Sequence, residues 1–533
     1  MTIPAELERA RHLAFAADEA AARDLLVSLI PAIEAVDRDD LMLEVFAQLG
    51  EIYLVRGADD GVAECIRRIR DCLGVYTRFL GGTLPDLADR VTMPHKEITH
   101  MTCRYARRAA FLDAGLAAAR GAHEEAATAL AALLRAGPGP ADLAGEHDDL
   151  ITRAHVLCAT ALCDDDLYEQ SVPLWEKVIE SVDRPGDGLE STDHRHVTTA
   201  TAYGRFCVET GRLAEAEPWL RRAGARAEAR GWQLAVARTG LERAAASWLT
   251  GDHVRAEALV RDAYPAIAHY ARAHEVSRCL LYLGLTGMAV GELDYADECF
   301  GHAERHWREV GRPLHIHRVL LARSWIRVFR GEFADAVELV AQAREQLDAS
   351  ARHSWLQYAR LDDHLGSIWR ADALADPNRA AARAKSEQAA DLKVPAALAV
   401  DSVRYTIADA EDRMRWATWV SAPMLAGAFA ATWEWGDMTV LCELIEYHSA
   451  RGAFHEEPVS VGPGEWTSAA TAPVPLHPAA HPPDGGPLTR LGPLPPLRMD
   501  PAGGPVLERY RALAFDRYGR DLTDRGAAWA TWP

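Results

Sequence analysis

The sequence predicts an all-α protein built from stacked helical hairpins, and three observations carry that prediction. Four glycines, Gly211, Gly251, Gly291 and Gly331, recur at a spacing of forty residues. An alanine stands five residues after each (Ala216, Ala256, Ala296, Ala336) and another twelve after (Ala223, Ala263, Ala303, Ala343). Seven before each glycine the side chain is small (Gly204, Ala244, Gly284, Ser324), and nine after it is large and apolar (Leu220, Val260, Phe300, Val340). A fixed internal period of this size belongs to repeated supersecondary units. Two antiparallel helices joined by a tight turn need a permissive residue at the turn and small residues where the backbones approach.

The register of small residue, turn glycine, alanine, large apolar residue and alanine resembles the tetratricopeptide repeat, in a longer variety than the usual one. That resemblance implies a right-handed superhelical solenoid whose first helices line a concave groove. Weaker copies stand upstream: Gly50, Gly57 and Ile66; Ala114, Gly121, Ala126 and Leu130; Ala159, Asp166 at the turn position, and Trp175. In the first of them Val62 replaces the alanine after the turn. The array is expected to cover 1–352 and to be most regular over 197–350.

In chain order, residues 4–37 read as two capping helices, with Leu25, Leu26, Leu29 and Ile30 at helical spacing. A helix from Leu41 to Val55 and another from Cys65 to Val75 flank the turn at Gly57 to Gly61. The chain breaks between Gly81 and Pro94, and again at Gly137-Pro138-Gly139-Pro140 and Arg184-Pro185-Gly186-Asp187-Gly188. Pro173 and Pro218 fall near the first turn of their second helices, where a missing amide hydrogen costs little. Pro265 lies deeper and predicts a kink. From 353 to 455 the strict period is lost but helical composition persists, and five helices are expected: Leu361 to Ala375, Arg379 to Asp391, Ala396 to Ile407, Glu411 to Ala431 and Thr439 to His448. The stretch 456–505 holds 13 of the 28 prolines and reads as a linker. A short helix and a tail carrying Trp529 and Trp532 occupy 506–533, and the two tryptophans suggest that the tail docks on the array.

Composition narrows the function. With 58 basic against 78 acidic residues, a net charge of −20, the chain is not expected to bind nucleic acid by bulk attraction. Four lysines (Lys96, Lys177, Lys385, Lys393) among those basic residues, beside abundant alanine, point to a GC-rich bacterial source, read as actinobacterial. No apolar run of signal-peptide or membrane-span type is seen, so a cytoplasmic protein without membrane contact is expected. Nine scattered cysteines include no C-x-x-C pair and read as small core residues.

Catalytic and metal-binding patterns are poor. His95 and His100 are five apart and do not share a helix face as a zinc-binding pair would. His194 and His196, like His315 and His317, sit at helix entries and read as polar caps. No phosphate-cradling loop or nucleophile elbow is present, and neither cofactor nor metal is expected. The feature singled out is the position thirteen residues before each turn: Arg108, Arg153, Thr198, Arg238, Arg278 and Arg318. In the tetratricopeptide family basic residues here grip acidic or carboxylate-terminal groups of bound peptides, so the resemblance implies a ladder of forked donors. The alternative is that these arginines pair with acidic residues of the neighbouring repeat. Arg205, Trp248, Met288, Trp325 and Val328 fall on or near the same face and would line the groove.

A second resemblance covers roughly sixty residues. Leu392-Lys393-Val394-Pro395-Ala396-Ala397-Leu398 through Tyr405, then Arg415-Trp416-Ala417, resembles the helical segment of actinobacterial proteins that join tetratricopeptide arrays to CHAT peptidases. The nucleophilic cysteine of such a peptidase has no counterpart here, since Cys442 lies within a helical run. The expected function is a non-catalytic protein- or peptide-binding scaffold whose partner carries an acidic or carboxylate-terminal segment, with the proline-rich tail as tether or intramolecular plug. The other reading is a ligand- or peptide-sensing protein that controls a partner such as a transcription factor or a CHAT-type peptidase. Oligomeric state is left open.

Overall fold

The structure is a computed structural model that describes residues 2–83, 93–137, 139–182, 189–350, 353–407, 410–452, 497–499, 504–522 and 529–530. Among the described residues nine helical hairpins follow one another in sequence: α1 (Ile3–Phe15) with α2 (Glu19–Ala35), α3 (Asp39–Val55) with α4 (Asp59–Leu80), α5 (His95–Ala119) with α6 (His123–Arg135), α7 (Ala144–Asp164) with α8 (Tyr168–Val182), α9 (Glu190–Glu209) with α10 (Leu213–Arg230), α11 (Gln233–Leu249) with α12 (His253–His269), α13 (Ala273–Ala289) with α14 (Leu293–Glu309), α15 (Pro313–Phe329) with α16 (Phe333–Ala349), and α17 (Trp355–Ala375) with α18 (Arg379–Ser402). Then come α19 (Ala410–Trp416), a π-helical turn (Ala417–Ser421), α20 (Ala422–Trp435), α21 (Met438–Gly452) and α22 (Glu508–Tyr518). The fold class is all-α, an array of tetratricopeptide-like hairpins.

Contacts divide the chain into two compact units, one of Met1–Phe206 with Ala214–Glu242, the other of Cys207–Leu213 with Arg243–Pro533. The repeat register explains the packing within each. Gly57, Gly121, Gly211, Gly251, Gly291 and Gly331 all have positive φ, and Asp166 takes the same conformation with φ 60°. Left-handed backbone at the helix end lets the following amides close on the last carbonyls. The turn from the second helix to the next hairpin repeats the device at Gly231, Ala271 and Gly311, also forty residues apart and with φ 71°, 52° and 65°. This second series was not read from the sequence, because Ala271 breaks it. The small residue before the turn is set by close approach: a Cβ on Gly204 would meet Leu220, and one on Gly284 would meet Phe300. Ala296, Phe300, Ala303, Ala336, Val340 and Ala343 then fill the core of the second unit.

Several boundaries differ from expectation. The two helices expected on either side of Pro395 are one, α18, whose residues Lys393 to Ser402 are all buried. A helix enclosed on all sides keeps its path through a proline because packing outweighs the lost bond. Pro265 lies inside α12, as expected, four residues before its end at His269. The helix expected over 411–431 is divided into α19, the π-helical turn and α20. Most of 456–505 lies outside the described residues, but Leu497 at its far end is buried in the core of the second unit. Leu497–Arg498 forms strand β1, paired in parallel with β2 (Trp529–Ala530). The side chain of Trp529, and Trp532 altogether, lie outside the described residues. Six of the nine cysteines are buried and Cys442 is exposed.

Candidate functional site

In the first unit the first helices of successive hairpins converge on a network of charges. Glu44 and Glu51 lie two turns apart on α3, so both face the same way. Arg108 on α5 reaches both: its Nη1 donates to Oε1 and Oε2 of Glu44, each at 2.8 Å, and its Nη2 to Oε1 of Glu51 at 2.9 Å. Arg153 on α7 donates to the other oxygen of Glu51 at 2.6 Å. Arg11 on α1 and Tyr105 on α5 donate to Glu44 at 2.8 and 3.0 Å. Arg104 pairs with Glu146 on α7 at 2.7 Å, and Arg195 on α9 lies 3.6 Å from Asp149 on α7. Five first helices thus contribute to one cluster.

Burial works to raise the Glu44 carboxyl, but the charges of Arg108, Arg104 and Arg11 outweigh it and hold it far below the usual range. At Glu51 burial is again opposed, by Arg153 and Arg108, and the carboxyl is brought down to about 2. Both glutamates are carboxylates throughout the physiological range. Glutamates on helices usually face water, but Glu44 is 6% exposed. Two glutamates seven residues apart on one face of α3 are the local trace of the network, and they do not name their partners.

Of the six arginines singled out from sequence, Arg108 and Arg153 are brought together through Glu51. Arg205 pairs with Asp164 on α7 at 2.5 Å. Arg238, Arg278 and Arg318 are partly exposed. Arg238 belongs to the first unit, where burial, then the Arg153 charge and more weakly Arg238, bring His194 down to about 3. Arg278 and Arg318 belong to the second unit, at equivalent positions of α13 and α15. On the same helices Met288 and Val328 pack against the core, and Trp325 stacks with Phe329 at 6.2 Å and meets His364 edge-on at 5.0 Å. Phe329 is 59% exposed. Trp248 on α11 contacts His253 at 4.3 Å.

The histidines expected as caps are packing residues. His194 stacks on Phe15 at 4.4 Å and meets Trp232 edge-on, joining the end of α1 to α9 and α11. His315 and His274 stack on Trp307, at 4.1 and 5.2 Å, and His317 is buried with Nδ1 2.9 Å from the Ala343 carbonyl. Aromatic cores at these hairpin junctions override the capping preference of the helix entry. His100 pairs with Asp142 at 2.8 Å. Among the described residues, no group of three or more His, Cys, Asp or Glu side chains is placed to hold a metal.

One pair has the composition of a hydrolytic dyad: Ser324 Oγ lies 2.7 Å from His364 Nε2. The serine proton is already given to the Leu321 carbonyl at 2.7 Å, so the hydroxyl accepts from the imidazole. Ser324 is also fully buried. A nucleophile needs a base that takes its proton and an open face for substrate, and this serine has neither. No helix among the described residues is long and apolar enough to cross a membrane.

No protein-family model matches the sequence, and no curated protein does. Among solved structures the chain is similar to the apo form of RapI, with 10% identity over 69% of this chain and 99% of that one, at a TM-score of 0.36. It is similar to a signal transduction ATPase of the STAND class with a tetratricopeptide repeat sensor from Pyrococcus horikoshii (11%, 69% and 52%, TM-score 0.38), about half of whose length it spans. The Rap conjugation gene regulator of plasmid pLS20 in complex with the Phr* peptide is a third (12%, 71% and 96%, TM-score 0.35).

Proposed function

We propose that the chain is a non-catalytic scaffold that takes a protein or peptide partner on the first helices of its hairpins, with Arg238 in the first unit, and Arg278 and Arg318 in the second, each suited to receive a carboxylate of an acidic or carboxylate-terminal segment. The observation that supports this most directly is internal. At the same position of earlier hairpins, Arg108 and Arg153 each hold a carboxylate, so side chains at this position present a guanidinium to acidic groups. Later hairpins repeat the arginine at a partly exposed position. On the same first helices, Phe329 is exposed and Trp325 and Met288 partly exposed, apolar surface of the kind that anchors a partner in helix-lined grooves.

The test is affinity capture from a bacterial lysate with the full chain, compared with an Arg238→Ala/Arg278→Ala/Arg318→Ala variant matched for helical content. A partner held by the wild type and lost from the variant is the expected result. Equal recovery on both would remove the arginines from the site.

A further inference from the structure

The described C-terminal segment lies in a cleft of the second unit that is acidic at three points. Tyr510, Ala514 and Tyr518, spaced by four residues on one face of α22, are each at most 6% exposed and pack against α17 and α18. Around that apolar seam, Arg509 pairs with Asp391 on α18 at 2.6 Å, and Tyr518 donates to Asp362 on α17 at 2.7 Å. The Leu507 amide donates to Glu443 on α21 at 2.8 Å. Arg517 donates to the Asp391 carbonyl, and Arg520 lies over Trp355, 4.7 Å from its ring centre. An aromatic, arginine-bearing helix thus lies against three carboxylates.

The fit is incomplete. Arg511 Nη2 and Arg520 Nε are buried without acceptors. Each of these nitrogens carries the desolvation cost of an unmade bond. Burial lowers both Arg511 and Arg520 from the usual guanidinium range. At the head of α22, Leu507 sits at φ 57°, a left-handed conformation that side chains other than glycine rarely adopt. Apolar contacts and the flanking pairs hold α22 down, while the strained head and the two unsatisfied guanidinium nitrogens oppose them, which leaves room for another occupant.

We propose that the cleft between α17, α18 and α21 is a helix-docking site for a partner's basic amphipathic helix bearing aromatic residues eight apart around a small one, and that α22 is its resident, exchangeable occupant. The competing helix wins by entering without the strained residue at its head and without burying unsatisfied guanidinium nitrogens. α22 keeps the cleft closed to weaker binders because it competes from within the same chain. This site is separate from the arginine position of the earlier hairpins, and either can fail without the other.

The probe is a fluorescein-labelled synthetic peptide of residues 504–522, titrated by anisotropy against the full chain and against a full-length Arg509→Glu/Tyr518→Ala variant whose own α22 is weakened. The variant is expected to bind the peptide at least about tenfold more tightly than the wild type. Adding Asp391→Arg to the variant should abolish that binding. Equal binding by wild type and variant, including none by either, would overturn the proposal. A readout on the wild type alone guards against misfolding: α22 amides should exchange with deuterium on the order of a hundredfold faster than those of α18. Equal protection would make α22 a fixed part of the core and overturn the proposal. A doubled mass in light scattering, with α22 exchanged between two copies, would overturn the assignment to a partner.

Discussion

A single nitrogen of Arg108, Nη1, donates to both carboxylate oxygens of Glu44 at 2.8 Å, which leaves Nη2 free to hold Glu51. One arginine thereby joins two carboxylates of α3 to α5 in a place where Arg108 itself is only 6% exposed.

Removing one partner of such a buried pair leaves a desolvated charge behind. Arg108→Ala is therefore expected to cost about 3–5 kcal/mol in urea denaturation. Arg153→Ala should cost about 1 kcal/mol, because its side chain is 26% exposed and water screens the loss. If the two variants are equally destabilised, the burial of the network does not set its strength.

Glycines in helices test the packing register. Gly284→Ala puts a methyl group into Phe300 and is expected to destabilise by about 1–3 kcal/mol. Gly301 lies inside α14 with nothing within 4 Å of a Cβ, so Gly301→Ala should stabilise by about 0.5–1 kcal/mol through helix propensity. Paired melting curves read the opposite signs directly.

The turn between α12 and α13 makes the reverse prediction. Ala271 takes φ 52° where the neighbouring repeats have Gly231 and Gly311. Ala271→Gly relieves the left-handed strain at some cost in unfolded-state entropy, and a net gain of about 0.5 kcal/mol is expected. A loss would show that the alanine methyl group packs favourably.

Acid should weaken the first unit in two stages. His194 and His196 are brought down from 6.5, mainly by burial, to about 3 and about 4. Folded-state values below the unfolded ones mean that their contribution is complete above pH 6.5 and is lost as pH falls toward those values, because the unfolded chain binds the protons first. Glu51, held at about 2 by Arg153 and Arg108 against the opposing effect of burial, adds a second loss below pH 4.5. Denaturation midpoints should fall from pH 6.5 downward and more steeply below 4.5. A His194→Phe variant, which keeps the stack on Phe15 without the titration, should flatten the first stage.

The hairpin register was legible because a turn glycine and a buried small residue tolerate few substitutes, so Gly251 and Gly284 repeat where surface residues vary. The arginine column was legible as one residue type recurring at one helical height. What Arg108 and Arg153 meet was not, since Glu44 and Glu51 lie 57 to 102 residues away from the arginines they share and a glutamate on a helix looks the same in water as in a buried pair. The seat of α22 was hidden by the same kind of distance: Tyr518 finds Asp362 across 156 residues, and no local pattern marks that pairing.

The most direct measurement is the affinity of acidic peptides with free C-terminal carboxylates for the full chain and for the Arg238→Ala/Arg278→Ala/Arg318→Ala variant, read by anisotropy at low and high salt. The account predicts binding by the wild type that weakens with salt and with C-terminal amidation, and at least a tenfold loss in the variant, about 1.4 kcal/mol. Binding that is equal in the two proteins and insensitive to the peptide's charge would contradict it.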